Sequence, residues 1–425
     1  MLTTLQRYTG WIILSTLFLF IASKLTASLI LIVALLAWLV VIVEWNRLPS
    51  GSRRQASLLL GIGSIALLFS AWNGVFVGWQ KILTQNLQLL PMFIAVSFLG
   101  LTTPDAQDLN LPKGKRAMLT TSVGTNLLGA VINLSILFVF GDRLKRNNTL
   151  SKAQAIILAR SFCAAAWWSP FFLSAGVALT YAPQMEFQRI LLPGIILTAI
   201  SIAYSIIEVG FVRKIEFTGY PVRLESLSVP FLLAIAVIIS HHYFPDLGMI
   251  LLICIITPPA AILLMRDKPR LHYLHDFISC RITSTVSQFV LFLTAGIFSI
   301  GISSFMRVYP ELFNFSGTAF SHSLFAMVSA LLIALGFIGV HPLVGISIVS
   351  PLLLPLHPDN SQLAFLFLTT WAVAAGSSPL SAVGLVMSSR YQLSPWSILT
   401  NNLHYAVAMW LSANVVSILY FGSHV

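Results

Sequence analysis

The chain has 425 residues, of which 57% are hydrophobic and 9% charged, with a mean hydropathy of +0.89. Soluble domains carry about 25% charged residues, so a soluble enzyme, a disordered chain and a nucleic-acid module are excluded. The net charge of +11 fits a topological cause better than a polyanion partner, because membrane proteins keep Lys and Arg in cytoplasmic loops.

In chain order, apolar runs of helical length lie near 10–23, 25–43, 57–78, 83–101, 189–212, 228–244, 247–265, 283–306 and 396–421. The first follows Arg7 and lacks a small-residue cleavage pattern, so it reads as a retained helix. Four regions do not fit a simple span. Residues 104–140 and 319–356 contain breaks at Gly124-Thr125-Asn126 and Gly339-Val340-His341-Pro342. Residues 153–182 and 361–391 exceed one crossing and break at Ser169-Pro170 and Ser378-Pro379. An internal Pro removes a backbone hydrogen bond, and irregular backbone at membrane depth is tolerated only inside protein or around a cavity. Cys163, Cys254 and Cys280 form no CxxC or Cys/His spacing; they read as small buried hydrophobes, with no metal site or disulfide.

Charge sets the topology. With 104–140 and 319–356 as re-entrant hairpins, the chain has eleven spans, a cytoplasmic N-terminus and an outer C-terminus. Nineteen of the 24 basic residues then lie inside: Arg7, Arg47, Arg53, Arg54, Lys113, Lys115, Arg116, Arg143, Lys145, Arg146, Lys152, Arg213, Lys214, Arg223, Arg266, Lys268, Arg270, Arg281 and Arg390. Lys24, Lys81, Arg189 and Arg307 remain outside, and Arg160 lies in a membrane segment. A crossing at 117–140 would move the basic loop 141–152 to the other side and destroy this asymmetry.

Leaving residues 1–24 aside as an extra helix, 25–212 holds three helices, a hairpin, a broken helix and a further helix; 228–421 holds the same order in the opposite orientation. GTNLLGAVINLSILFVFG (124–141) lines up with GVHPLVGISIVSPLLLPL (339–356), and Ser169-Pro170 falls on Ser378-Pro379. Inverted repeats with paired interrupted helices point to a secondary transporter and its midplane site.

Each break leaves a helix N-terminus inside the membrane. Ser before Pro is a helix-start signal, so Ser169 and Ser378 are expected to cap half-helices, with Asn126 and His341-Pro342 in similar roles. Such termini suit an anion or a polar neutral group. The expected substrate-binding set is Gly124, Thr125, Asn126, Ser169, Pro170, Gly339, His341, Pro342, Ser377, Ser378, Pro379 and Ser381, gathered in one central cavity. The two hairpins and two broken helices, over 117–140, 153–182, 319–356 and 361–391, contain no Asp or Glu, which disfavours a cation/proton antiporter working through intramembrane carboxylates. Carbonyls and the hydroxyls of Thr125, Ser377 and Ser381 can still hold sodium. Arg160 either meets a substrate carboxylate or snorkels to the surface. His341 binds substrate, titrates or caps its helix. Trp167-Trp168 line the cavity or pack, and His241, His242, His272 and His275 read as solvated.

The order of hairpin, broken helix and following helix, repeated in inverted form, resembles the ion transporter superfamily, which includes divalent anion/sodium symporters, citrate transporters and arsenical pump permeases. VGTNLLGAVINL and IGVHPLVGISIVSPLLLP resemble its hairpin tips, GSSPLSAVGLVM (376–387) its second unwound stretch and AWWSPFFLSAG (166–176) the first-half counterpart. Gly-Thr-Asn and Gly-Val-His-Pro stand where the dicarboxylate branch carries Ser-Asn-Thr. The resemblance implies an elevator mechanism, with hairpins and broken helices as transport domain, the other helices as scaffold, and a homodimer.

The expected protein is therefore an all-α polytopic membrane protein, placed in a bacterial cytoplasmic (inner) membrane. It is expected to be an ion-coupled transporter of a small anionic or polar solute, driven by sodium or protons, with no enzymatic activity, cofactor or nucleic-acid partner. A channel, a membrane subunit of a larger complex and a glycolipid-processing enzyme are the alternatives. The enzyme would need a larger outer loop than 307–318, which offers only Arg307 and Glu311.

Overall fold

The computed structural model describes residues 6–102, 111–132, 134–146, 149–221, 224–265, 269–313 and 319–421, with the side chains of 132, 135, 224–231 and 284 excepted. Among them the protein is all-α and polytopic. Seven helices are long and apolar enough to cross a membrane, and shorter apolar helices accompany them. This is the expected fold class. A chain in lipid must satisfy its backbone within each segment, and the helix does so. Arg223, Arg266, Lys268 and parts of 104–140 and 307–318 lie outside the described residues.

The helices divide between two compact units. The first comprises 1–102, 237–318 and 347–356; the second comprises 103–236, 319–346 and 357–425. The first unit contains α1 (Thr9–Ala22), α2 (Leu29–Glu44), α3 (Ser50–Trp72), α4 (Trp79–Thr84) and α5 (Leu89–Ser97). The second contains α6 (Gly114–Ile132), α7 (Ser135–Leu144), α8 (Lys152–Ala164), α9 (Leu173–Tyr181) and α10 (Phe187–Ile207). The division falls inside α11 (Leu224–Tyr243), after which the first unit resumes with α12 (Met249–Leu263), α13 (Arg270–Asp276) and α14 (Val286–Val308). The second unit resumes at α15 (His322–Phe337). The division recurs inside α16 (Pro342–Leu353), and α17 (Asn360–Ser377), α18 (Ala382–Ser389) and α19 (Pro395–Phe421) complete the second unit.

Within the first unit, α3 and α14 run side by side and parallel. A Cβ on Gly63 would lie 2.7 Å from the backbone of Phe298, and one on Gly301 would lie 2.5 Å from the Gly63 carbonyl oxygen, so only glycine permits this approach. Further along, Phe69 meets Phe305 with ring centroids 5.7 Å apart. α3 starts at Ser50, ahead of the apolar run at 57, because the polar residues Ser50–Gln55 are helical although hydrophilic. It ends where Gly74 takes φ +81°. The run 83–101 lies in one apolar span, Trp79–Thr102, which contains a turn between α4 and α5. There Asn86 takes φ +61° and its Nδ2 donates to the Phe292 carbonyl at 3.1 Å. A buried Asn with a cross-helix acceptor tolerates the left-handed conformation that most residues avoid.

In the second unit, the start of α6 and the start of α8 share one apolar cluster: Ala117 and Met118 with Ala153, Ile156, Ile157, Val209 and Phe217. Farther along the same pair, Asn126 reaches Ser161 and Gly129 lies against Phe162. The two helices are therefore parallel, and the intervening α7 returns the chain to its starting end. α15 and α17 form a second parallel pair, with His322 beside Gln362 and Gly336 against Ala374. The pairs run in opposite directions: Cys163 meets Gly376, whereas Trp167, just beyond α8, bonds Thr369, which comes earlier in α17.

Three local expectations are corrected. The break at Gly124-Thr125-Asn126 is absent, since α6 is continuous from Gly114 to Ile132 and the interruption comes before Ser135. Asn126 finds its polar partners sideways, on α8 and beyond, so the helix need not open to satisfy it. Ser169-Pro170 does not start a half-helix, because α9 begins later, at Leu173. Cys280 is exposed, unlike Cys163 and Cys254.

Candidate functional site

The second hairpin and the second broken helix meet within the second unit. α15 ends at Phe337, and the chain turns through Gly339 at φ +96° before Pro342 opens α16. A left-handed residue is required there, and glycine takes that conformation without steric cost. His341 caps its own helix: Nδ1 accepts the Leu343 N–H at 3.2 Å, and its carbonyl accepts from Val344 at 2.8 Å. Its ring stands edge-on to Trp371, with centroids 5.2 Å apart.

Opposite, α17 ends at Ser377. The Ser378 hydroxyl accepts the N–H of Leu380 at 3.2 Å, forming a turn around Pro379. This turn postpones the next helix, so Ser381, not Ser378, is the N-cap of α18. Its Oγ accepts from Gly384 N–H at 3.0 Å and donates to the carbonyls of Ala375 and Ser378. Gly339, His341, Pro342, Ser378 and Ser381 line one small cavity with Gly336, Val340, Ala374 and Leu380. No charged side chain is among these lining residues. Polar contacts there come from hydroxyls, one imidazole and helix-start amides, which suits an acceptor-bearing solute.

The first-half residues gather separately. Ser169 repeats the turn of Ser378: its hydroxyl accepts the N–H of Phe171 at 3.2 Å and donates to the Ala130 carbonyl. Each serine is followed, four residues on, by the first residue of a half-helix, Leu173 and Ala382 respectively. Asn126 donates to the Ser161 carbonyl at 2.9 Å and accepts from Trp168 Nε1 at 3.2 Å. Thr125, Asn126, Ser169, Pro170 and Gly124 are buried and do not line the cavity at His341. Asn126 and Ser169 thus sit with α6 and the end of α8, and His341 and Ser378 at the start of α16 and the end of α17. Of the candidate sodium-binding hydroxyls, those of Thr125 and Ser377 are buried without a hydrogen-bond partner, whereas Ser381 is committed to its cap.

Arg160 does neither of the things expected of it. It is fully buried and all three guanidinium nitrogens are engaged: Nε with Asn402 Oδ1 at 2.7 Å, one terminal nitrogen with Glu208 at 2.6 Å and the other with the Asn401 carbonyl at 2.8 Å. Its plane lies over Tyr405, 4.3 Å from the ring centroid. Glu208 also binds Arg213, which bonds Asn401 in turn. Glu208 opens a π-helical turn, Glu208–Val212, that continues α10. An ion pair in this setting persists because both partners are also hydrogen-bonded. Glu208 is the residue that sequence reasoning misses; its signal is a lone carboxylate near the end of the otherwise apolar run 189–212.

No family model matches the chain, and no curated protein does. Among solved structures, the crystal structure of the Alcanivorax borkumensis YdaH transporter, reported to have an unusual topology, aligns with a TM-score of 0.54 and 11% identity, covering 87% of this chain and 98% of that one. The two share a fold. At this identity the ion transporter superfamily remains a resemblance of motif and order, with no matching family model behind it.

Proposed function

We propose that the protein is an ion-coupled, elevator-type secondary transporter of a small anionic or polar solute. One observation carries the reading: a hairpin break and a helix break, each starting a half-helix, line one uncharged cavity at Gly339–Pro342 and Ser378–Ser381. Its support is threefold. The turn in which a serine hydroxyl accepts the N–H two residues on recurs at Ser169 and Ser378, next to helices that run in opposite directions, in keeping with inverted repeats over 25–212 and 228–421. The second unit collects both broken helices, together with α10 and α19, as a transport domain would. The YdaH fold is that of a protein described as a transporter.

In this reading Gly339, His341, Pro342, Ser378 and Ser381 contact the solute, and Thr125 and Ser377 offer hydroxyls to a sodium ion. Protons are the alternative coupling ion. Arg160 holds α8 in place and does not touch solute. The protein works as a homodimer in a bacterial inner membrane, N-terminus inside. The test is uptake into proteoliposomes of radiolabelled succinate, citrate and sulfate under an imposed sodium or pH gradient. Accumulation above the external concentration is expected. Flux that only equilibrates, indifferent to either gradient, would make the protein a channel.

A further inference from the structure

The second unit holds another cavity, whose lining shares no residue with the one at His341. α8, the end of α18 and the first turns of α19 enclose it, and its polar lining is Lys152, Ser397, Asn401 and Asn402. Lys152 is exposed, whereas Asn401 and Asn402 are buried, so the cavity runs inward from an ammonium to a pair of amides.

Behind these amides stands the network of Arg160, Glu208 and Arg213. Asn402 Oδ1 accepts from Arg160 at 2.7 Å, and Asn401 Oδ1 accepts from Arg213 at 3.0 Å. With both oxygens held by guanidinium groups, each amide has one orientation, and its nitrogen faces the first turns of α19. Asn401 Nδ2 donates to Ser397 Oγ at 3.0 Å, and Asn402 Nδ2 donates to the Ile398 carbonyl at 2.8 Å. An amide nitrogen carries two N–H groups, and each of these bonds uses one. The Ser397 hydroxyl, accepting from Asn401, keeps its own proton to give. The lining therefore offers an ammonium, a hydroxyl and the spare N–H groups of two amides, and no carboxylate.

The charge of the network defines what it lacks. Arg160 and Arg213 share one carboxylate, Glu208, and neither pairs with another among the described residues. Cytoplasmic bias accounts for Lys152 and Arg213, at the ends of their helices. It does not account for Arg160, which has no exposed surface. Buried charges are stable when balanced, and this network is short of one negative charge. The free space is about 20 Å³, against about 10–15 Å³ for one water. That admits one monatomic anion and excludes a di- or tricarboxylate.

We propose that this cavity binds a single chloride-sized anion, held by Lys152 Nζ, Ser397 Oγ and the amide N–H groups of Asn401 and Asn402. Arg160 and Arg213 supply the balancing charge through the two asparagines. The ion fastens α8 to the start of α19 and is separate from the transported solute, so its binding needs no transport to be seen.

The purified full-length protein, in neutral detergent and sodium gluconate, is titrated with sodium chloride, bromide or sulfate at constant ionic strength while the unfolding temperature is followed. Chloride and bromide should raise it along a saturating curve, and sulfate, too large for the cavity, should not. K152Q/S397A should need about tenfold more chloride for the same rise, whereas K214Q, which removes an exposed charge, should match the parent. Crystals of the parent protein grown in bromide should carry an anomalous peak between Lys152 and Asn401. A response that never saturates, an equal response to sulfate, a K152Q/S397A variant that titrates as the parent does, or a cavity without bromide would each overturn the proposal.

Discussion

Ser381 is the residue on which the second half-helix depends. Its hydroxyl accepts one hydrogen bond and shares its single proton between two carbonyls, so Ser381→Ala removes a cap worth about 1 kcal/mol. We expect solute uptake to fall about tenfold with insertion intact, whereas Ser389→Ala, at the exposed end of α18, should leave uptake unchanged. Uptake in vesicles at matched protein level decides it. Arg160 makes a different demand. Arg160→Met leaves Glu208 with Arg213 as its cation and Asn402 short of its donor, at a cost of about 1–3 kcal/mol. Thermal unfolding in detergent reads that loss. The Ser-Pro pair advertises a break, but the turn that Ser378 makes with Leu380 decides which serine caps, and this needs the fold of five consecutive residues. Arg160 stands out in sequence as a buried charge. Its partners lie 48 and 242 residues away, beyond the reach of any local pattern.

Elements follow the same logic at larger spacing. The nine simple apolar runs all reappear as helices, because a run of that length has no other way to satisfy its backbone in lipid. The inference from polarity to interruption is the one that fails. Asn126 is polar but paired across helices, and α6 stays whole; Asn86, in a run that looks continuous, sits at a turn within its span. The return arm α7 is tied to the chain after α18. Arg390 makes two hydrogen bonds to Asp142, at 2.6 and 3.0 Å, and Tyr391 donates to the Leu137 carbonyl at 3.0 Å. Arg390 holds the Asp142 carboxyl below its ordinary 3.8. A depressed carboxylate stabilises the fold above its unfolded value and loses that contribution as pH falls through the folded one. The tie should therefore be constant from pH 5 to 8 and fail only below about pH 4. Asp142→Asn should flatten that acid limb of an unfolding-temperature profile; an unchanged limb would assign it to other groups. A methyl on Gly141 would lie 2.3 Å from Tyr391 Oη, so Gly141→Ala should free the arm and raise proteolysis in the 145–150 loop.

At the scale of the whole chain, the packing of α8 against α17 makes a topological demand. Helices that begin at opposite ends of one unit place Lys152 and Asp359 on opposite membrane faces. Reporter fusions after these two residues should read differently, and agreement between them would refute the crossing. The count of basic residues already implies this arrangement, since charge bias is a property of the whole chain that survives errors in single elements. The division into two units is not visible along the sequence, because each unit is assembled from three separate segments of the chain.

The turns at Ser169 and Ser378 are matched, but the helix starts beyond them differ. Ser381 caps α18, whereas Phe172, in the equivalent place, offers α9 no side-chain acceptor. Two turns built on one plan therefore lead into helix starts of unequal stability. Amide exchange should be faster at 172–174 than at 381–383, and opening on the first side should be the quicker motion. In the proposed transporter the two turns would then open at unequal rates, while the direction of net flux is still set by the gradient.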